Sequence, residues 1–279
     1  MSNHVKLAIY EPGNEGKKGR YFTLRLKTFV GKERSVFRPP SKALVIPSIA
    51  GDFQDFLETL LKFQVIDRKH QWIYEDGHII LNGNYLSKQT KKAECLWYIY
   101  GLEERAFRRG GHVHFILGMD ELMLLNEKKW IDQHPDYAFS RKRSSGQSYS
   151  ILYDGNNELL RWLRTKNIVE KIGSSLFLNK EIAAEILMSG LPITEINKSS
   201  FEDRYKGLAF SLDLCSIQNI VEKYDVQTIV TGNYHIAETV SYSNGTIIDV
   251  PASKKEALLI QNESFYRVFS DKEKVELTL

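Results

Sequence analysis

Apolar residues along this chain fall into short unbroken runs, each followed by a stretch spaced three and four residues apart, the signature of a buried strand leading into an amphipathic helix. The run over 43–50 ends at Gly51-Asp52 and is followed by Phe56, Leu57, Leu60, Leu61 and Phe63 at helical spacing. A second unit joins a strand over 78–81, through a turn at Asn82-Gly83-Asn84, to a helix from about 91 to 108. A third joins 110–117, ended by Gly118, to the helical stretch 119–125. Beyond a polar, irregular stretch over 130–152, read as a long loop, the pattern predicts a helix over 157–164, a strand over 168–178 and a helix beginning near Glu181. A helix over 216–224, a strand over 228–231 and a turn at Gly232-Asn233-Tyr234 follow. The last runs, 238–241, 245–250, 257–260 and 266–269, alternate and read as antiparallel strands closing the second half of a sandwich. The alternation of strand and helix predicts a layered α/β protein whose loops after the strand ends gather on one edge of the sheet.

The amino-terminal stretch changes that picture little. Two β-like runs, 5–10 and 21–30, flank a turn at Pro12-Gly13-Asn14, so 1–43 reads as a hairpin-like β lead-in to the rest of the chain.

Composition narrows the class of protein. The 279 residues are 42% hydrophobic and 26% charged, with 18 Gly and 7 Pro, as in an ordinary globular protein with a sizeable core. Lys and Arg number 38 against 35 Asp and Glu, and the basic runs at Lys17-Lys18 and Arg141-Lys142-Arg143 are scattered. That argues against a dedicated nucleic-acid site, which concentrates basic residues on one face. Cys95 and Cys215 are too few and too far apart for a disulfide framework or a thiolate zinc site, and both read as core residues. No window reaches the roughly 20 apolar residues of a membrane helix, which makes a cytoplasmic, membrane-free location the expectation.

The strand-end motifs carry the chemistry. Gly51-Asp52-Phe53-Gln54, Gly83-Asn84-Tyr85-Leu86-Ser87-Lys88, Gly118-Met119-Asp120-Glu121, Leu178-Asn179-Lys180 and Thr231-Gly232-Asn233-Tyr234 follow one another at the right places between strands. In order and spacing they resemble the motifs of the calcineurin-like metallophosphatases, and most closely the bacterial branch called Shewanella-like protein phosphatases. The likeness runs over about 45–270. It implies a two-sheet β-sandwich flanked by helices and a metallophosphatase-like domain over 44–279.

In that family two metals are held by Asp and His of the first motif, a bridging Asp of the second, an Asn of the third and single His residues of the fourth and fifth. The resemblance places these ligand positions at Asp52, Gln54, Asn84, Met119, Asn179 and Asn233, where only Asp52 keeps the family's residue. Carboxylates and imidazoles hold hard or borderline dications, whereas a neutral amide offers one weak carbonyl oxygen and a thioether suits soft metals. The bridging position matters most, since its negative charge holds two dications about 3.5 to 4 Å apart. The general-acid His of the family reads Asp120, and the phosphate-contacting Arg of the second motif reads Lys88.

These departures imply a pseudophosphatase: the fold kept, dinuclear catalysis lost, no cofactor, and the retained surface serving a protein partner as a binding or scaffolding module, through the loop over about 130–150. One alternative is a metal-dependent phosphoesterase with an atypical centre, in which Asp52 and His235, helped by Gln54 or Asn84, hold a single Mn, Fe or Zn ion weakly. Another is metal-free binding of a phosphorylated ligand by Lys88, Lys180 and Lys206, since ammonium groups are adequate point charges for phosphate. His112 and His114 alternate on one face of a strand at a spacing compatible with ligation, although packing is the simpler reading. Tyr85 and Tyr234 read as exposed aromatics that line the vacated site.

Overall fold

The computed structural model describes residues 6–11, 20–46, 53–85, 92–125, 158–180, 190–198, 214–233, 236–252, 255–269 and 273–277. The stretch 130–152, the helix expected near Glu181, and Tyr234 lie outside the described residues. Two six-stranded mixed sheets pack face to face, with helices on the outside. The first sheet is built on β4 (Lys42–Ile46), β5 (His78–Asn82) and β6 (His112–Ile116), which are parallel to one another in that order. Helices α1 (Phe53–Lys62), α2 (Lys92–Phe107) and α3 (Met119–Leu125) follow these strands, as the periodicity predicts.

The second sheet contains β3 (Val36–Phe37), β7 (Val169–Ile172), β8 (Ser175–Asn179), β9 (Thr228–Asn233), β10 (Val240–Tyr242) and β11 (Ile247–Pro251) in the order β10-β11-β9-β8-β7-β3. Three further helices lie among the described residues: α4 (Glu158–Leu163), which packs beside α2 and α3 with Trp162 stacked on Phe115 of β6, α5 (Ile193–Lys198), which packs on β7, and α6 (Leu214–Tyr224). Two expectations are corrected here. The run over 168–178 is a hairpin, β7 and β8 being antiparallel about a turn at Gly173-Ser174. The last strands, β12 (Glu256–Gln261), β13 (Ser264–Phe269) and β14 (Lys274–Glu276), leave the second sheet and extend the first, with β12 antiparallel to β4. Alternation marks a strand but carries no information about which sheet it joins.

Period-two burial sorts the core into two layers. Ala43 and Val45, Ile80, Ile116, Phe177 and Val230 point between the sheets, where they meet Ile248, Val250 and Leu258. Their neighbours Leu44 and Ile46, Ile79 and Leu81, Phe115 and Leu117, Leu176 and Leu178, and Ile229 face the helices. Strands covered on both faces explain why the sequence shows unbroken apolar runs instead of alternation.

The amino-terminal hairpin, β1 (Lys6–Glu11) with β2 (Arg20–Arg25), is a separate two-stranded sheet, and Leu24 is buried against α2. The strand predicted over 21–30 stops at Arg25. The Lys27 N–H turns away to donate to the Tyr100 hydroxyl at 2.6 Å, and its ammonium pairs with Glu103. Lys166, wholly buried, then ties Glu33 to Glu103. Burial opposes ionisation of Glu103, but Lys166 and Lys27 outweigh it and hold its pKa below the usual carboxylate value. No described helix is long and apolar enough to cross a membrane.

Candidate functional site

The carboxyl ends of β5, β6, β8 and β9 converge on one edge, the place where α/β sheets put ligands. The convergence is tight enough that glycine is required. Gly83 has φ +77°, and a Cβ there would lie 2.7 Å from Gly118 Cα and 3.0 Å from Asn179 Nδ2. A Cβ on Gly118 would overlap the backbone nitrogen and side chain of Asn84. The second, third and fourth motifs therefore touch, and they bring together Asn84, Asp120 and Asn179 from the positions that the resemblance selects.

Asn84 adopts φ +60°, a conformation asparagine tolerates better than most residues, and is almost completely buried. Its side-chain oxygen accepts a hydrogen bond from the Asp120 N–H at 3.2 Å. Asn179 is also buried at the end of β8. Met119 is half-buried and packs against the helix-side core, and Gln54 sits in the first turn of α1. Asn233 ends β9; Asp52, Lys88, Lys206 and His235 lie outside the described residues.

Lys180 follows Asn179 at the same edge, half-exposed, with its ammonium paired to the buried carboxylate of Asp249 on β11. The Thr231 hydroxyl donates to the other Asp249 oxygen. This charge is thus already matched by a buried anion, and an incoming anion would compete with Asp249 for it.

Glu121 has a role that reading the motif did not assign. It accepts hydrogen bonds from the backbone N–H groups of Gly118 (2.8 Å), Asn84 (2.8 Å) and Tyr85 (2.6 Å) and is fully buried. The bond to Gly118 has the form of a capping box, with Gly118 as N-cap of α3 and Glu121 as its third residue, and that much is a local sequence signal. The other two bonds join the third motif to the second and depend on tertiary contact. Burial, with the nearby Asp120 carboxylate, pushes the Glu121 pKa up to about 7 despite these donors. Tyr85 corrects an expectation: it is buried, with Phe56 and Phe115 against its ring, and its hydroxyl donates to the Ile46 carbonyl at 2.5 Å. It braces the second-motif loop against the end of β4.

The histidines belong to the other end of the strands. His78 and His112 open β5 and β6 in direct register, and His114 lies two residues further on. Both ring nitrogens of His114 are committed, one to His78 Nδ1 at 2.9 Å and the other to Glu170 Oε2 at 2.6 Å. Asn167 donates to the second Glu170 oxygen at 2.8 Å. Burial lowers the pKa of His114 to about 3, so the imidazole is uncharged at neutral pH and this contact is a hydrogen bond although it lies within ion-pair distance; burial also raises Glu170 to about 7. Packing, and not ligation, accounts for this trio.

Neither a protein-family model nor a curated protein sequence matches the chain. Solved structures do match. A cold-active protein-tyrosine phosphatase of a psychrophilic Shewanella species superposes with a TM-score of 0.77 at 21% identity, covering 98% of this chain and 90% of that one. The fold is that of the calcineurin-like metallophosphatases. A point mutant of a cold-active protein tyrosine phosphatase gives 0.76 at 20% identity over 94% and 92% of the two chains. A protein serine/threonine phosphatase from Saccharomyces cerevisiae gives 0.54 at 11% identity over 82% and 78%.

This fold implies a dinuclear metal centre, and its fit can be tested on the donors present. At the described ligand positions the side chains are amides and a thioether, and Asn84 spends its oxygen on the Asp120 backbone. Among the described residues no group of three or more His, Cys, Asp or Glu is placed to hold a metal. The nearest buried carboxylate, Glu121, is turned onto backbone amides. That donor set does not fit two hard dications.

Proposed function

We propose that this chain is a pseudophosphatase, a metallophosphatase-fold protein whose strand-end edge binds a partner in place of hydrolysing a phosphoester. The observation that carries the reading is Asn84. At the position where a bridging anion would be needed stands a neutral amide, buried and hydrogen-bonded to the third-motif backbone, which supplies no charge to hold paired dications or lower the pKa of a bridging water. Asp120 is a carboxylate at the general-acid position, and a carboxylate donates a proton near neutral pH only when its pKa is raised. No hydrolytic step is assigned to these residues.

At the same edge the buried amides of Asn84 and Asn179 tie the motif loops together beneath the surface, and the half-exposed Lys180 ammonium flanks them. Such an edge suits recognition of a polar protein segment, with the loop over 130–150 as a further contact. Full-length protein incubated with manganese, iron or zinc and then freed of excess ion should retain no stoichiometric metal and should not turn over an aryl phosphate or a phosphodiester. Two bound equivalents, with turnover abolished by Asp52→Ala, would overturn the reading. One weakly held ion lost in both Asp52→Ala and His235→Ala would replace it with the mononuclear phosphoesterase.

A further inference from the structure

A hollow among the described residues lies at the opposite end from the phosphatase-type edge. It measures about 450 Å3, within the range of roughly 300–1,000 Å3 typical of small-molecule sites. The segment after β2, the last turns of α2 and the start of β6 form its walls. Leu26, Phe29, Phe107 and Val113 supply the apolar surface. Phe29 and Phe107 are 83% and 78% exposed, the two most exposed large hydrophobic side chains among the described residues, and both stand on this one hollow. Gly31 lets the Phe29 ring lie where it does, because a Cβ at that position would overlap the ring.

The charged groups of the wall are matched within the protein. Lys27 pairs with Glu103, Arg108 with Glu104, and Lys166 beneath them with both Glu33 and Glu103. A charged ligand would give up its hydration and find no spare counter-charge. His112 is different. Its ring lies against Phe37 at 5.2 Å and His114 at 4.4 Å, yet neither ring nitrogen makes a hydrogen bond to a described residue. Burial and the neighbouring His114 keep it neutral, with a pKa lowered to about 3, so it presents one donor and one acceptor to whatever enters.

From the apolar wall, the paired charges and the open imidazole we infer that this hollow is a binding site for a neutral aromatic molecule bearing one hydroxyl group, its ring against Phe29 and Phe107 and its hydroxyl on His112. The site is independent of the phosphatase-type edge and of the function proposed for it. Two aromatic side chains in the lining favour a flat ring, through offset or edge-on contact, over a branched aliphatic of equal volume.

2-Naphthol tests this directly, because its own fluorescence reports binding to the full-length protein. Saturable one-site binding is expected, with 2-naphthoate and 2-naphthylmethylammonium at least tenfold weaker. Phe107→Ala and Phe29→Ala should each weaken 2-naphthol roughly tenfold, since either change removes about half of the aromatic contact. Both side chains are too exposed for their loss to threaten folding. His112→Phe should bring 2-naphthol down to the affinity of naphthalene while leaving naphthalene itself unchanged. Should His112→Phe fail to fold, the imidazole nitrogens of His112 in the unaltered protein must still shift in a histidine-selective proton–nitrogen spectrum on adding 2-naphthol. Absence of saturable binding, preference for either charged analogue, indifference to both phenylalanine variants, or unmoved His112 nitrogens would each overturn the assignment.

Discussion

The two ends of β5 and β6 are built from opposite chemistry although the same two strands supply both. Residues 78, 80 and 82 of β5 and 112, 114 and 116 of β6 alternate toward the space between the sheets. At the amino ends that face holds three imidazoles beside Glu170, with the Lys166 ion network nearby, and in the middle Ile80 and Ile116. At the carboxyl end of β5 Asn82 crosses to the Val230 carbonyl of the other sheet at 3.1 Å, followed by Gly83 and Asn84. Imidazoles kept neutral by burial and a buried ion network sit at the amino ends, while at the carboxyl edge the motif loops are joined by amides and by the Glu121 carboxyl turned onto backbone, with the Lys180–Asp249 pair beside them. Glu121 and Tyr85 join the second- and third-motif loops to each other and to the end of β4 through contacts within the protein.

The largest effect expected from breaking this contrast is at the charged end. Lys166→Met leaves Glu33 and Glu103 facing each other without their shared cation, and we expect it to lower the unfolding free energy by about 3–5 kcal/mol, measured by chemical denaturation. Amide chemical shifts around Asn84 should stay in place in that variant, because the two ends do not share the network. Glu121→Ala strikes the other end: three backbone donors lose their acceptor, at an expected cost of about 2–4 kcal/mol, with Glu121→Gln recovering part of it. If Glu121→Ala cost nothing, some other contact would be holding the second-motif loop.

A smaller effect, and a sharper one, is the pH dependence. Burial lowers the pKa of His78 to about 4 and, together with neighbouring histidine or lysine charge, holds His112 and His114 at about 3, against 6.5 unfolded. Their contribution is complete above pH 6.5 and is lost as pH falls toward 3. Glu33, Glu121 and Glu170 are raised by burial to about 7 from 4.5, so their contribution is complete below 4.5 and is lost as pH rises to about 7. Between pH 4.5 and 6.5 the two sets oppose each other, which predicts a plateau of stability there, a fall below pH 4.5 and a shallower fall from 6.5 to 7. Urea midpoints across pH 3.5 to 8 measure this, and a monotonic rise to pH 8 would mean that the carboxyls ionise freely. The smallest effect belongs to Lys180→Ala, about 1 kcal/mol or less, because the lysine is half-exposed even though its partner Asp249 is buried.

Much of the first sheet was legible in the sequence. Runs such as Ala43-Leu-Val-Ile46 and the spacing from Phe56 to Leu60 mark strand and helix because a strand covered on both faces must be apolar throughout, and a helix against it must repeat every three to four residues. The strand-end motifs, too, could be placed from order and spacing, and the structure brings Asn84, Asp120 and Asn179 to one edge. The fate of β12 to β14 was not legible, since an alternating strand fits either sheet equally well. Nor was the burial of Tyr85, which depends on Phe56 and Phe115 arriving from two other elements.

The sequence by itself determined most of the strands and helices of the first sheet and the side-chain chemistry available at each strand-end motif, because periodicity and side-chain chemistry are properties of residues taken locally. Only the tertiary structure decided which of those residues are committed elsewhere. Glu121 became the clamp across two motifs, Lys180 found Asp249, His114 used both nitrogens, and His112 was left facing a hollow, because each outcome depends on groups that chain folding brings together from distant positions.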